Sequence, residues 1–181
     1  MDEQQAIQAL KRGEINGLAV LVERYQVRAV RTAYLITRDE QLAQDVVQDV
    51  FLQVYRGIGG FDATRRFEPW LMRSVVNAAL KASQKTAKQS GLDDAGLEEW
   101  LIEQDGVEGQ IESLESNQKI WNAMQELSPR QRAVVVQRYF LEMSEKEMAE
   151  QLDTAPGTVK WLLNAARERL RGLLGSERSA K

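Results

Sequence analysis

Apolar residues recur at helical spacing along most of the chain, and this periodicity constrains the fold more than any other feature. Leu18, Leu21, Val22, Tyr25, Ala29, Ala33 and Tyr34 fall on one helical face. Val46, Val47, Val50, Phe51 and Val54 fall on a second, and Asp39 is placed to cap that helix. Gly57, Gly59 and Gly60 interrupt the pattern. A third helix opens near Arg66, tolerates Pro69 in its first turn, and carries Trp70, Leu71, Val75, Val76 and Leu80 towards Lys88. Only three prolines occur in 181 residues, so little stands in the way of helices.

The second half repeats the pattern in shorter pieces. Ile120, Trp121, Met124 and Leu127 share a face. Ser128 and Pro129 form a strong helix start, and Ala133, Val134, Val136, Gln137 and Phe140 follow. Ser144 and Glu147 make a capping box ahead of Met148, Ala149 and Leu152. A turn over 153–157 leads into a last helix from about Thr158 to Leu174. Two short helices joined by a tight turn, the second one basic, are the pattern of a helix-turn-helix.

Between the halves lie four of the twelve glycines and few apolar residues, although Leu97, Trp100, Leu101 and Ile102 allow a short docking helix. The expectation is an all-α fold: two small helical domains over 1–88 and 111–181, joined by an acidic linker over 89–110, the second domain a helix-turn-helix.

Charge sharpens this division. The chain carries a net charge of −3. From Arg56 to Lys88 there are seven basic and two acidic residues; from Leu92 to Glu115 there are nine acidic and no basic residues; from Pro156 to Lys181 there are six basic and two acidic. Each block alone reads as a solvated helix face. Two basic blocks separated by an acidic stretch point to two domains that each meet a polyanion.

Absences narrow the chemistry. There is no Cys, which excludes disulfides, thiolate zinc sites and Cys nucleophiles, and no His, the commonest general base and metal ligand. No phosphate loop or pocket signature occurs, so an enzyme is the least favoured class, and no metal site or cofactor is expected. No apolar run reaches the ~20 residues of a membrane span, and the polar N-terminus is no signal peptide, so the chain reads as cytoplasmic without membrane insertion.

In the last helix, Val159, Leu162, Leu163, Ala166 and Leu170 fall on the core side, and Lys160, Trp161, Asn164, Arg167, Glu168 and Arg171 on or around the other. Asn164 suits an adenine edge, Thr158 and Trp161 a thymine methyl, and Lys160 and Arg167 phosphate or guanine. Trp161 reads as an exposed residue that meets DNA or a partner; the alternative is packing against the linker or another domain.

The residues over 45–56 (DVVQDVFLQVYR), then Phe61, then 67–77 (FEPWLMRSVVN) resemble region 2 of the extracytoplasmic-function, or group IV, sigma factors of the sigma-70 family. Those over 127–132 (LSPRQR), 139–149 (YFLEMSEKEMA), 156–160 (PGTVK) and 166–170 (ARERL) resemble region 4 of the same family. Both motifs occur in the family's order across nearly the whole chain.

The resemblance implies a promoter-specificity subunit that binds core RNA polymerase, through the clamp helices of β′ and the β flap, and promoter DNA. It also implies an anti-sigma factor as a further partner. Asp45, Gln48, Asp49, Leu52 and Gln53 match the polymerase-binding surface. Asn77 matches a contact to a flipped base of the −10 element, read as a melted strand. Arg65, Arg66, Arg73, Lys81 and Lys85 would hold phosphates there, and Phe61 and Trp70 would stack on bases, although Trp70 reads better as core. Thr158, Lys160, Trp161, Asn164 and Arg167 would meet the −35 element as duplex. Relatives carry several Arg or Ser residues after the Gly-Thr-Val-Lys stretch, where this chain has Trp161-Leu162-Leu163-Asn164-Ala165. That departure leaves two readings: weaker −35 recognition, or an apolar patch for a regulator. The competing functions are a stand-alone helix-turn-helix regulator and a helical protein-binding adaptor.

Overall fold

A computed structural model describes residues 1–89 and 117–176. Among these there is no strand. The elements are α1 (Glu3–Lys11), α2 (Asn16–Thr37), α3 (Glu40–Gly57), a 3-10 turn (Ile58–Gly60) and α4 (Phe67–Gln89) in the first half. The second half holds α5 (Asn117–Gln125), α6 (Pro129–Val135), a π-helical turn (Val136–Phe140), α7 (Glu145–Gln151) and α8 (Pro156–Ser176). The expected docking helix at Leu97–Ile102 and the second-domain start near residue 111 lie outside the described residues.

Local chemistry sets the helix ends. Arg38 ends α2 in the left-handed region, and the Asp39 side chain accepts from the Leu42 N–H at 2.8 Å to start α3. Ser128 and Gln131 form a capping box on α6, with Pro129 at its first position. Ser144 and Glu147 do the same for α7. Helix α1 was not anticipated from the periodicity. It too has a capping box, Asp2 with Gln5, and it buries Ala6, Ile7, Ala9 and Leu10.

Helix α2 is the axis of the first half. Leu21, Ala29, Ala33 and Ile36 are fully buried along it, and α1, α3 and α4 all pack on it. Gly17 sits where α1 crosses, and a Cβ there would collide with the Ala6 carbonyl oxygen. Tyr25 donates its hydroxyl to the Glu3 carboxylate across the same junction. Burial first, and then that carboxylate, push the Tyr25 phenol up to about 12.

The second half closes against α2 and α4. Arg132 on α6 is only 3% exposed; its Nε donates to the Ile36 carbonyl at 2.6 Å and its Nη1 to the Leu127 carbonyl. Ser83 Oγ of α4 donates to the same Ile36 oxygen at 3.3 Å. Tyr34 stacks on Trp121 with ring centroids 4.7 Å apart. Gln151, at the end of α7, donates to the Arg73 carbonyl at 3.2 Å. Ala123, Met124, Leu127, Ala133 and Val136 thereby join the core cluster of the first half. Val134, Met148, Ala149, Val159, Leu162 and Leu163 form a smaller core of their own under the helix-turn-helix.

Two predictions follow from this packing. Gly→Ala inside a helix normally gains about 1 kcal/mol. Gly17→Ala should instead cost about 1–3 kcal/mol through overpacking, read by urea unfolding, because backbone rather than a side chain blocks the methyl group. The second concerns α7. Glu147 accepts from the backbone N–H and hydroxyl of Ser144, and these bonds, with a smaller contribution from Arg73, hold its carboxyl below the usual carboxylate range. A depressed carboxyl contributes stability above its unfolded pKa and loses it as pH falls through the folded one. Ser144→Ala should therefore cost about 1 kcal/mol at neutral pH. The gap between thermal melts of wild type and variant should narrow, without closing, as the pH drops below the ordinary Glu range, because the bond from the Glu147 N–H to Ser144 Oγ does not titrate.

Candidate functional site

Three exposed surfaces emerge, each on the face of a helix whose other face is core. The first is on α3. Asp45, Gln48, Asp49, Leu52 and Gln53 are all exposed, opposite the buried Val46, Val47, Val50, Phe51 and Val54. Asp45 accepts from Gln41 Nε2 at 3.0 Å, which orders its carboxylate along the helix. Beside this face runs a groove of about 660 Å³ between α2 and α3, floored by Val22, Val30, Val47 and Phe51, with Gln48 and Leu52 on one lip and Val27 and Arg31 on the other. Leu52 is 43% exposed and Val27 57%. The α2 lip was missing from the sequence reading. Its signal was Val27 standing off the apolar stripe of that helix.

The second surface is the segment over 59–66 and α4. Arg73, Asn77, Lys81 and Lys85 are exposed and recur every fourth residue, so they form one stripe about 18 Å long on a single helix face. Arg65 and Arg66 stand exposed before it, with loose ion pairs to Asp62 at 3.6 Å and to Glu68 at 4.0 Å. Asp62 folds the loop by accepting from the N–H and hydroxyl of Thr64, and these bonds hold its carboxyl below the ordinary Asp value.

Phe61 corrects the expectation that it stacks on bases. It is 4% exposed, with its ring edge-on to Phe67 at 5.6 Å and tilted against Trp70 at 4.9 Å. Lys11 Nζ donates to its carbonyl and ties the loop to α1. A base has no access to a ring held this way; Phe61 shapes the loop from beneath. Trp70 is half-buried in the same aromatic cluster, in line with its reading as core.

The third surface is the N-terminal half of α8. Lys160 is exposed; Thr158, Asn164 and Arg167 are half-buried. Val159, Leu162, Leu163, Ala166 and Leu170 are buried, as the angular division of the helix required. Trp161 is half-buried and packs against the cluster around Val134 and Met148, so part of its ring belongs to the core of its own domain and part stays open. With Leu162 and Leu163 at 2% and 0% exposure, Trp161-Leu162-Leu163 is no apolar surface patch. What fills the outer side instead is polar. Arg167 Nε donates to the Tyr139 hydroxyl at 2.7 Å, and its Nη1 lies 3.4 Å from Asn164 Oδ1. Tyr139 is a residue the sequence reading did not single out.

Among the described residues no group of three or more acidic side chains is arranged to hold a metal ion, and no helix is long and apolar enough to cross a membrane. The arrangement offers binding surfaces: an acid-and-amide face beside an apolar groove, a cationic stripe, and a helix-turn-helix.

Two family models match the chain in succession. Residues 21–89 match the model of sigma-70 region 2, and residues 117–170 that of sigma-70, region 4. The chain is 31% identical over 173 residues to the ECF RNA polymerase sigma factor SigW of Bacillus subtilis, covering 91% of this chain and 92% of that one. It is 27% identical to the RNA polymerase sigma-H factor of Pseudomonas aeruginosa, over 92% and 90% of the two chains. Among solved structures, CnrH in complex with the cytosolic domain of CnrY superposes with a TM-score of 0.63 at 22% identity, over 96% of this chain and 97% of that one. The sigma factor RpoE of Bartonella quintana, in complex with the anti-sigma factor NepR, superposes with the same score over 87% and 96%. The chain belongs to the extracytoplasmic-function sigma factors of the sigma-70 family.

Proposed function

We propose that this sigma factor directs promoter-specific initiation through the three surfaces in a fixed division of labour. The observation that carries the reading is the α4 stripe: four polar or cationic side chains in line on a chain whose net charge is negative. The α3 face and its groove take the clamp helices of the polymerase β′ subunit. Leu52 and Val27 offer apolar contact to an amphipathic helix, while Asp45 and Asp49 select a basic one. The stripe and the loop before it hold the non-template strand of the −10 element. Arg65, Arg66, Arg73, Lys81 and Lys85 neutralise phosphates, and Asn77 has donors and an acceptor for one displaced base. Helix α8 enters the major groove of the −35 duplex, with Thr158 and Lys160 at its N-terminal end. The β flap is the contact proposed for the second half. An anti-sigma partner is part of the same reading, by likeness to RpoE, solved in complex with the anti-sigma factor NepR.

The packing of the halves bears on how this works. Gln151 touches the Arg73 carbonyl, and Lys160 follows nine residues later in the chain. Nine residues reach about 30 Å at full extension. Two promoter elements about two helical turns apart are separated by about 70 Å. The closed arrangement therefore cannot serve both elements at once, and the second half must leave α4 when the promoter is bound. The 27 residues between α4 and α5 have a covalent reach of about 90 Å, enough for that separation.

The test is reconstitution with core polymerase and start-site-specific transcription. Asp49→Lys should lower affinity for core polymerase by about tenfold in a competition assay, an effect of about 1.4 kcal/mol, while far-ultraviolet circular dichroism stays unchanged. Unaltered affinity would remove the α3 face from the reading. Asn77→Ala should leave polymerase binding intact and weaken promoter opening. A permanganate footprint of the −10 region as strong as that of wild type would take Asn77 out of the strand-holding surface.

A further inference from the structure

The polar side of α8 is organised by a residue that lies outside the helix-turn-helix. Tyr139 belongs to the π-helical turn between α6 and α7, where the Leu141 N–H reaches back to the Val136 carbonyl at 3.0 Å. The longer turn holds an extra residue, and extra residues of this kind re-aim side chains at functional sites. Here it leaves Tyr139 48% exposed beside α8. The turn is fixed further: the Met143 N–H donates to the Gln137 carbonyl at 2.9 Å, and Arg138 Nη1 donates to the Met143 carbonyl at 3.2 Å. Tyr139 is thus an exposed side chain on a tied backbone.

What it touches is one guanidinium. Arg167 Nε donates to the Tyr139 hydroxyl at 2.7 Å, and Arg167 Cζ lies 5.8 Å from the ring centroid. The same guanidinium reaches Asn164 Oδ1, one turn back on α8, at 3.4 Å. Two of the five N–H groups of the arginine are occupied and three remain for a ligand. With Oδ1 taken by Arg167, the amide N–H groups of Asn164 are left to donate to another acceptor. An arginine free in solvent must surrender several rotamers to read one base; one already held on two sides has far fewer to lose.

We propose that Tyr139 is a positioning residue for DNA recognition by α8: it holds Arg167, and through Arg167 Asn164, as a single donor array aimed at acceptor atoms on the duplex. The assignment rests on the reading of α8 as the −35 reader. It accounts for how a recognition helix with few cations near its start still presents an ordered donor surface. Tyr139 itself touches no base; its contribution is to fix the guanidinium beforehand.

The experiment uses the full chain reconstituted with core polymerase, and a pool of duplexes whose upstream block is randomised, sequenced before and after selection. Tyr139→Phe keeps the ring and removes the hydroxyl. It should lower enrichment of the preferred sequences about fivefold and relax the same base positions that Arg167→Ala relaxes. The double variant should be no worse than Arg167→Ala alone. Melting temperatures of wild type and Tyr139→Phe should coincide. If Arg167→Ala leaves the base profile as it was, the reading of α8 through Arg167 fails. If Arg167→Ala relaxes the profile and Tyr139→Phe matches wild type, the reading of α8 stands and the role of Tyr139 is overturned. A Tyr139→Phe variant that binds all duplexes equally less well and melts earlier would make the hydroxyl structural, and would also overturn the proposal.

Discussion

Helix α2 can be shared by so many neighbours because its buried face is built from small residues at the crossings. Gly17, Ala29 and Ala33 carry little or no side chain, and each is buried. Adjacent helices approach a backbone closely only where such residues stand, and the larger Leu21, Tyr25 and Ile36 then interlock between the crossings. The exposed surfaces depend on that closeness. The outward face of α3 points away because its valines are seated against α2, and the α4 stripe points away because Leu71, Val75 and Val76 are seated there too. A shift of α2 would move the groove, the stripe and the docking place of the second half together.

The C-terminal end of α2 adds an electrostatic constraint. The last carbonyls of a helix lack partners and carry partial negative charge. Ile36 offers one such oxygen, and both Arg132 and Ser83 donate to it. A guanidinium buried to 3% exposure would be costly without acceptors, and the Ile36 and Leu127 carbonyls are two of those it has. The contact between the halves is therefore polar at its centre, with the Tyr34–Trp121 stack beside it. Such an interface is specific in geometry, yet its donors and carbonyls can be taken up by water when the halves part.

Helix boundaries were legible in the sequence where the signal is carried by a few adjacent residues. Asp39, Ser128 and Ser144 cap the helices they were expected to cap, because a side-chain oxygen and an N–H three residues on need no tertiary context. The core side of α8 was legible for a similar reason, since one period orders all its buried residues. What failed depended on packing between elements, which a helical period does not register. Phe61 looked available in a glycine-rich loop, but Phe67 and Trp70 close over it. Trp161 lies off the apolar stripe of its own helix, yet the cluster around Met148 extends far enough to cover part of it. Tyr139 stood in the stretch that resembles region 4 but was given no role, because periodicity assumes 3.6 residues per turn and the π turn breaks that count. Helix α1 was missed because four buried residues in nine make too short a pattern to separate from chance.

The closed arrangement also carries polar groups left unsatisfied. Both side-chain polar atoms of Gln137 and the Oε1 of Gln151 are buried without a hydrogen bond to protein. A buried polar atom left unpaired costs about 1–3 kcal/mol. Gln137 lies on the π turn, which packs against both α2 and α7, and Gln151 lies at the contact with α4. The cost at Gln151 opposes the gain from the Arg132 bonds and the aromatic stack. On the proposed reading, in which the second half leaves α4 to reach the −35 element, that balance has a consequence. Polymerase and promoter contacts need to repay only a modest free energy to draw the halves apart, whereas an interface of the same size packed with apolar side chains alone would oppose them with its full burial energy.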